Sequence, residues 1–205
     1  MSVDITSMAQ NEFKVRSFVG LAASLILLTV IVKQVQAEQE RVCTVTSANL
    51  NKLTFDVFDQ GLDSPLSWRC LAEKGELKQA QELIDRYILI NRAELDQYKI
   101  DALTFHSGQL AATDGRYEEA IEKFYLTVRE NDELARFLSW NEYVLGTIYF
   151  LQGSIRKLEQ EIEKIEVKNI EMDVDNLRIL KNFHKCPNET YKEVYSRTSS
   201  CLNTH

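Results

Sequence analysis

Apolar residues recur at steps of three and four along most of this chain, which is the period of an α-helix with one buried face. Residues 103–131 contain two such patterns, and the sequence Asp114-Gly115-Arg116 separates them. Glycine adopts a positive φ without a Cβ clash, so the stretch predicts a helical hairpin that turns at Gly115. The apolar positions of the second pattern are Tyr117, Ala120, Ile121, Phe124, Tyr125 and Val128.

The same spacing predicts helices over most of the chain after residue 61. The segment Asp63-Ser64-Pro65 predicts one helix start, since it combines capping residues with a proline suited to a first turn. Further helices are predicted at 76–91, 92–114, 132–152 and 154–168, from 173 or 175 onward, and from 187 onward. The whole chain of 205 residues has 2 Pro, 7 Gly and 44% hydrophobic residues, which fits an all-α protein with a real core.

The central hairpin resembles the tetratricopeptide repeat. That family has a glycine in the first helix and, in the second, an alanine followed four residues later by an aromatic residue. Gly108, Ala120 and Phe124 occupy these places here, with Gly115 and Tyr117 at the turn. The chain departs from the family pattern at Thr104, Ser107, Ala111 and Asp132.

Two partial copies flank this hairpin. Gly146 and Tyr149 fit the first-helix pattern and Gly153 follows seven residues after Gly146, although Leu158 and Ile162 replace the alanine and the aromatic residue. A fainter copy comes before, at Trp68, Leu71, Gly75, Leu77, Ala80, Leu83 and Ile84. The resemblance implies a short α-solenoid of antiparallel hairpins over residues 62–205. The turn glycines are 40 and 38 residues apart, longer than the family's usual period of about 34, so a non-repeat helical bundle stays an alternative.

An uncharged apolar run covers residues 17–32, between Arg16 and Lys33. It is short for a membrane span of about 20 residues, but it fits either an uncleaved anchor, which we favour, or a secretory signal cleaved near Ala37. A buried core helix is the third interpretation. The predicted organisation is a cytoplasmic tail at 1–16, the transmembrane or signal helix at 17–32, a connector at 33–61 and the helical domain at 62–205. The domain is expected outside the cytoplasm, in the periplasm if the source is bacterial.

Four cysteines follow the apolar run, and their even number predicts disulfide bonds in an oxidising compartment. Free thiols packed as small apolar residues are the alternative. Three pairings are possible. Cys43 with Cys70 would tie the connector to the first hairpin. Cys186 with Cys201 would close the C-terminus, provided that residues 187–200 do not form one straight helix, which would hold the sulfurs too far apart.

The candidate chemistry favours binding over catalysis. The net charge is −7 and the basic residues are dispersed, which argues against a nucleic-acid partner. No catalytic, cofactor or metal motif occurs in the sequence. We therefore predict a non-enzymatic interaction scaffold that binds a protein or peptide, with an enzyme, or an accessory subunit of one, as the alternative. The candidate groove residues lie on first helices: Tyr98, Phe105, His106, Gln109, Asn141, Tyr143 and Thr147.

Overall fold

The computed structural model describes residues 42–130 and 137–203, and these ranges contain helices and turns but no strand. The prediction of an all-α fold is confirmed for them. The helices are α1 Trp68–Glu73, α2 Leu77–Ile90, α3 Gln97–Thr113, α4 Tyr117–Tyr125, α5 Trp140–Leu151, α6 Ile155–Lys168, α7 Val174–Lys185 and α8 Tyr191–Tyr195. Short 3-10 turns occur at Leu50–Lys52, Glu171–Asp173 and Ser200–Asn203, and a π-helical turn at Asp56–Gln60.

Three hairpins of consecutive helices form the body of the fold: α1 with α2, α3 with α4, and α5 with α6. Each pair is joined by a three-residue turn, and such a short turn between packed helices makes the pair antiparallel. The central residues of the turns are Gly75, Gly115 and Gly153, whose φ angles are +81°, +78° and +67°. A residue with a Cβ would be strained in this conformation, so the glycines mark the bends as predicted.

Successive first helices contact each other through ring pairs that are 38 residues apart in the sequence. The rings of Trp68 and His106 lie 5.4 Å apart, and the rings of Phe105 and Tyr143 also lie 5.4 Å apart. The spacing of 38 equals that of the turn glycines Gly115 and Gly153 and is two residues shorter than that of Gly75 and Gly115. Successive hairpins therefore stack through their first helices in a repeat-like arrangement.

The second helices α2 and α4 show the same shift. Gln81 Nε2 donates to Glu119 Oε1 at 2.6 Å, and Lys123 Nζ donates to both carboxylate oxygens of Asp85 at 2.9 Å. Both contacts span 38 residues and advance by one helical turn along each helix. The helices α2 and α4 therefore run parallel and end at the same edge of the stack.

Close contact within the central hairpin depends on Gly108. A Cβ at this position would lie 2.6 Å from Phe124 Cε1 and 3.3 Å from the Ala120 carbonyl oxygen. We expect Gly108→Ala to lower the free energy of unfolding by about 1–2 kcal/mol, because the overpacking exceeds the gain of about 1 kcal/mol in helix propensity. Urea unfolding of G108A, F124L and the double variant checks this. Because the smaller leucine side chain at position 124 would relieve the clash with the new Cβ, the double variant should be more stable than the sum of the two single effects predicts, by more than about 0.5 kcal/mol. Additive effects would contradict the contact.

Much of the predicted connector belongs to the folded domain. The compact unit begins at Cys43, and Val45, Leu50 and Phe58 are all buried in it. Phe58 stacks on Tyr87 of α2 with ring centroids 4.1 Å apart. The connector therefore covers the first hairpin as part of its core.

Four helix starts differ from the predicted ones. The last helix, predicted from 187, begins at Tyr191 with Thr190 as its cap. Helix α1 begins at Trp68 with Ser67 as its cap, since the Pro65 carbonyl is engaged by the backbone N–H groups of Thr44 and Val45. Helix α3 begins at Gln97, after a turn at residues 91–95. Helix α5 begins at 140, whereas the start predicted at 132 lies outside the described residues.

Both considered disulfides are present: Cys43–Cys70 and Cys186–Cys201, with Cα atoms 5.7 Å and 5.9 Å apart. The second one is possible because the chain between its cysteines forms only the five-residue helix α8, with turns on either side. The apolar run at 17–32 and the cleavage position 37 lie outside the described residues. Among the helices that are described, none has both the length and the hydropathy needed to cross a bilayer.

Candidate functional site

The candidate groove residues separate into a buried and a partly exposed group. Phe105 and Tyr143 are only 3% and 4% exposed, and Thr147 is fully buried, so these three are core residues. His106, Gln109 and Asn141 are half-buried, and Tyr98 is exposed at the start of α3. We define the first-helix face as the surface formed by Arg69 of α1, His106 and Gln109 of α3, and the part of α5 around Tyr143.

The buried group fills the seam between α3 and α5. The Phe105 ring lies 5.2 Å from the Trp140 ring, 5.4 Å from that of Tyr143 and 4.7 Å from that of Phe124. The Thr147 hydroxyl donates to the carbonyl of Tyr143 in its own helix. The large aromatic side chains of the facing first helices are thus buried where one hairpin packs on the next, and they are not available to line an open groove.

Asn141 serves a local structural role. Its carboxamide oxygen accepts from the Arg129 backbone N–H at 2.9 Å, and its Nδ2 donates to the Arg129 carbonyl at 2.8 Å. Both hydrogen bonds hold the chain that leaves α4 against the start of α5. Arg129 in turn donates from Nε to Asp101 at 2.7 Å and lies over the Trp140 ring. Asn141 therefore fixes a connection between hairpins.

A buried carboxylate organises the α1 end of the first-helix face. Asp59, in the π-helical turn, is fully buried and accepts from Trp68 Nε1 at 2.9 Å and from His106 Nδ1 at 2.8 Å. Arg69 donates from Nε to the Asp59 carbonyl at 2.9 Å, and its guanidinium lies over the Trp68 ring. Three side chains from α1 and α3 thus converge on one acidic residue of the connector.

The protonation of Asp59 follows from these contacts. Burial is the largest single influence and acts to raise the pKa of Asp59. The hydrogen bond and charge of His106, the Trp68 N–H and the charge of Arg69 together outweigh it, so that the pKa lies below its usual value. Asp59 is therefore an ionised acceptor at neutral pH, and His106 presents an Nδ1–H to it.

Asp59 was not among the residues that the sequence suggested. It lies in a short apolar stretch, beside Val57 and Phe58, and its partner His106 is 47 residues away. The one local signal is an acidic residue next to apolar residues, and this signal does not identify the hydrogen-bond donors. The donors are set by the packing of the connector across α1 and α3.

The C-terminal segment covers the other end of the first-helix face. Gln109 Nε2 donates to the Tyr195 hydroxyl at 2.9 Å and to the Tyr191 hydroxyl at 3.3 Å. Tyr191 is completely buried, and Tyr195 stacks on it with centroids 5.2 Å apart. Burial raises the pKa of Tyr143 well above its usual value, and the neighbouring Tyr195 acts in the same direction. Helix α8 thus docks on α3 and α5 through two tyrosines.

The geometry of α8 is fixed at both ends. Thr190 caps its start, because the Thr190 hydroxyl accepts from the Glu193 N–H while the Glu193 carboxylate accepts from the Thr190 N–H. The Cys186–Cys201 disulfide closes the loop that contains it. The first-helix face therefore holds a short aromatic helix that belongs to the same chain.

The described residues offer little else for catalysis or metal binding. No group of three or more His, Cys, Asp or Glu side chains within them could hold a metal ion. The His106–Asp59 pair is a carboxylate-oriented imidazole, which is an arrangement suited to accepting a proton at Nε2. Within the described ranges, the hydrogen bond and ion pair formed by the His106 ring both go to Asp59 rather than to a nucleophile.

Comparison of the chain with protein-family models, with curated proteins and with solved structures finds no match. Its function is therefore argued from the geometry of the first-helix face and from the sequence that precedes the domain.

Proposed function

We propose that this protein is a non-enzymatic protein–protein interaction scaffold. Residues 17–32 tether it to a membrane, and its TPR-like helical domain is displayed outside the cytoplasm to assemble an envelope complex. The observation that carries the proposal is the docking of α8, since the first-helix face accommodates a short helix with aromatic side chains in cis. A partner that presents such a helix would meet the same chemistry.

The part of the face beside α8 supplies the polar contacts that orient a peptide. Arg69 and His106 are half-buried and are held in place by Asp59. Burial lowers the pKa of Arg69, while the nearby Asp59 and Tyr195 act in the opposite direction. Rigid donors at the rim of an aromatic surface are typical of a peptide-binding site. The proposed partner is therefore a protein or peptide, with no nucleic acid, metal or cofactor involved.

The placement outside the cytoplasm rests on two features. Both cysteine pairs are at disulfide distance, and disulfides form and persist in oxidising compartments. The uncharged run of 16 residues ahead of the domain fits an anchor or an export signal. Secretion after cleavage near Ala37 is the alternative to anchoring, and it would leave the proposed binding function unchanged.

The second candidate, an enzyme or an accessory subunit of one, is favoured only by the His106–Asp59 pair. Such a pair supports general-base chemistry when a nucleophile or a bound water lies within hydrogen-bond reach of the imidazole. Cysteine cannot serve, because both thiol pairs of the described chain are oxidised. We therefore place the scaffold first.

Site-specific photocrosslinking on the full chain tests the proposal. A photoreactive residue replaces Gln109 on the first-helix face or Glu159, which is exposed on α6, as the matched control. We expect one stoichiometric partner to crosslink from position 109 in solubilised source membranes and not from position 159. Equal capture from both positions would contradict a site on this face. Turnover on a substrate panel, lost in H106A and requiring no partner, would favour the enzyme.

A further inference from the structure

The exposed large apolar side chains of this domain are concentrated at the connections between hairpins. At least two of them lie in, or within two residues of, each of the three connections, which join α2 to α3, α4 to α5 and α6 to α7. Leu89, Leu126 and Val167 are 77%, 74% and 85% exposed. We define the connection edge by six residues, two from each connection: Leu89, Tyr98, Leu126, Phe137, Val167 and Met172.

The topology brings these six residues to one side of the stack. For the first two hairpins this follows because α2 and α4 run parallel and each hairpin is antiparallel. In the third, Asn141 at the start of α5 bonds to Arg129 just after α4, and the Lys168–Glu142 ion pair holds the end of α6 beside the start of α5. The opposite edge consists of the hairpin turns 74–76, 114–116 and 152–154, whose residues are all polar or glycine. None of the described, exposed large apolar residues lies in those turns. The exposed large apolar residues of the described chain that lie away from the connections, Val42, Val57, Leu62 and Tyr195, are in the segment before α1 and in α8. The apolar side chains at the ends of the hairpins are therefore found at the connections and not at the turns.

Two lysines at the connection edge are paired with carboxylates. Lys99 pairs with Asp96 at 2.9 Å and Lys168 pairs with Glu142 at 2.9 Å, one at the start of α3 and the other between α6 and α5. At the described connections, the exposed Glu94, Glu130 and Glu171 outnumber the exposed Arg92, so the edge has no excess of positive charge that would attract an anionic surface. It fits a neutral or zwitterionic surface that can take up apolar side chains.

The chain enters the domain at this same edge. The Cys43–Cys70 disulfide and the hydrogen bonds of the Thr44 and Val45 N–H groups to the Pro65 carbonyl, at 2.8 Å and 3.1 Å, fix the entry point beside the start of α1. Residues 33–42 separate this point from the apolar run at 17–32. Ten residues reach at most about 35 Å when fully extended. A bilayer that holds the run is therefore within tether length of the entry point.

We propose that the connection edge docks on the surface of a zwitterionic lipid bilayer. The six side chains project from three separate connections instead of lining one concavity, which suits a soft, flat surface better than a shaped protein partner. Tyr98 and Phe137 add aromatic rings of the kind that reside at the membrane–water interface. Docking would direct the hairpin-turn edge away from the bilayer and leave the first-helix face open from the side. The inference rests on the proposed membrane tether.

Fluorescence quenching of the full chain in phosphatidylcholine vesicles tests the docking. Leu126→Trp places a reporter on the connection edge, and Gln152→Trp places a matched one on the exposed hairpin turn. Brominated phosphatidylcholine quenches indole only at the bilayer. After subtraction of the wild-type signal from buried Trp68 and Trp140, we expect about half of the L126W emission to be lost and that of Q152W to be unchanged. Circular dichroism confirms that both variants are folded.

The remaining outcomes separate the docking from the tether. A chain that floats with the vesicles after alkaline carbonate, but whose L126W emission is not quenched, keeps its tether and overturns the docking. Equal quenching of L126W and Q152W also overturns it, as does quenching that appears only after phosphatidylglycerol is added. A crosslink from position 126 to one protein, without quenching, would assign the edge to that protein. A chain that does not float with the vesicles removes both the tether and the docking that rests on it.

Discussion

Replacement of Asp59 by alanine is expected to lower the free energy of unfolding by about 3 kcal/mol, which is among the largest effects of any polar substitution in this chain. The side chain is fully buried, and its removal leaves the Trp68 and His106 N–H donors and the Arg69 charge without their common acceptor. Urea unfolding at pH 7, followed by tryptophan fluorescence, measures the change. The matched control is Asp56→Ala in the same π-helical turn, which is exposed and should change stability by less than about 0.5 kcal/mol.

The pH dependence of this difference gives an independent check. Because the pKa of Asp59 is lowered in the folded protein, its stabilisation is fully present above the unfolded-state value of 3.8 and is lost as the pH falls through the folded value. The gap between wild type and D59A should therefore hold down to about pH 4 and shrink below it. Equal urea midpoints for D59A and D56A, or a gap that persists unchanged into strong acid, would show that Asp59 does not act as a buried ionised acceptor.

Loss of the Cys186–Cys201 disulfide in the variant C186S/C201S is expected to release α8 from the first-helix face. The cross-link closes a loop of about 15 residues, for which the chain-entropy model gives about 3 kcal/mol. Helix α8 has only five residues, and such a short helix has little stability of its own. Hydrogen exchange should show faster exchange of the amides of residues 191–196 and of α3 residues around Gln109.

The other disulfide is the control for this prediction. C43S/C70S also removes a cross-link, but it lies at the entry to the first hairpin, away from α8. In C43S/C70S the backbone amides of residues 43–53 should exchange faster than in wild type, whereas those of residues 191–196 should keep their wild-type protection. Unchanged protection of α8 in C186S/C201S would mean that Tyr191 and Tyr195 hold the segment without the cross-link.

The docking of α8 and the contacts of Asp59 limit where a partner can bind on the first-helix face. The α8 end is occupied by a helix of the same chain, whereas the end near Arg69 and His106 is half-exposed and rigidly held. The proposed partner therefore binds beside α8 or replaces it. Comparison of crosslinking from position 109 in wild type and C186S/C201S distinguishes the two, because replacement predicts a higher yield in the variant and binding beside α8 predicts no increase.

The sequence by itself determined the helices and the bends. Period, turn glycines and helix-forming composition are local properties, and the positive φ at Gly115 follows from a requirement that glycine alone meets cheaply. The second hairpin helices at 76–91 and 154–168 were predicted to within a residue, since their buried residues recur on one amphipathic face. The start of α1 was missed because the Pro65 carbonyl is engaged by the connector, a contact from 20 residues away.

Tertiary structure alone decided which surfaces stay open. Helix α3 carries apolar or small residues on most of its circumference, because α2, α4 and α8 all pack against it, and its periodicity could not identify a free face. The sequence therefore suggested Phe105 and Tyr143 as groove residues, whereas the stacking of the hairpins buries both. Gln109 meets Tyr191 across 82 residues of sequence, and His106 meets Asp59 across 47. Local sequence encodes which segments become helices, whereas burial of a given side chain depends on distant segments that arrive to cover it.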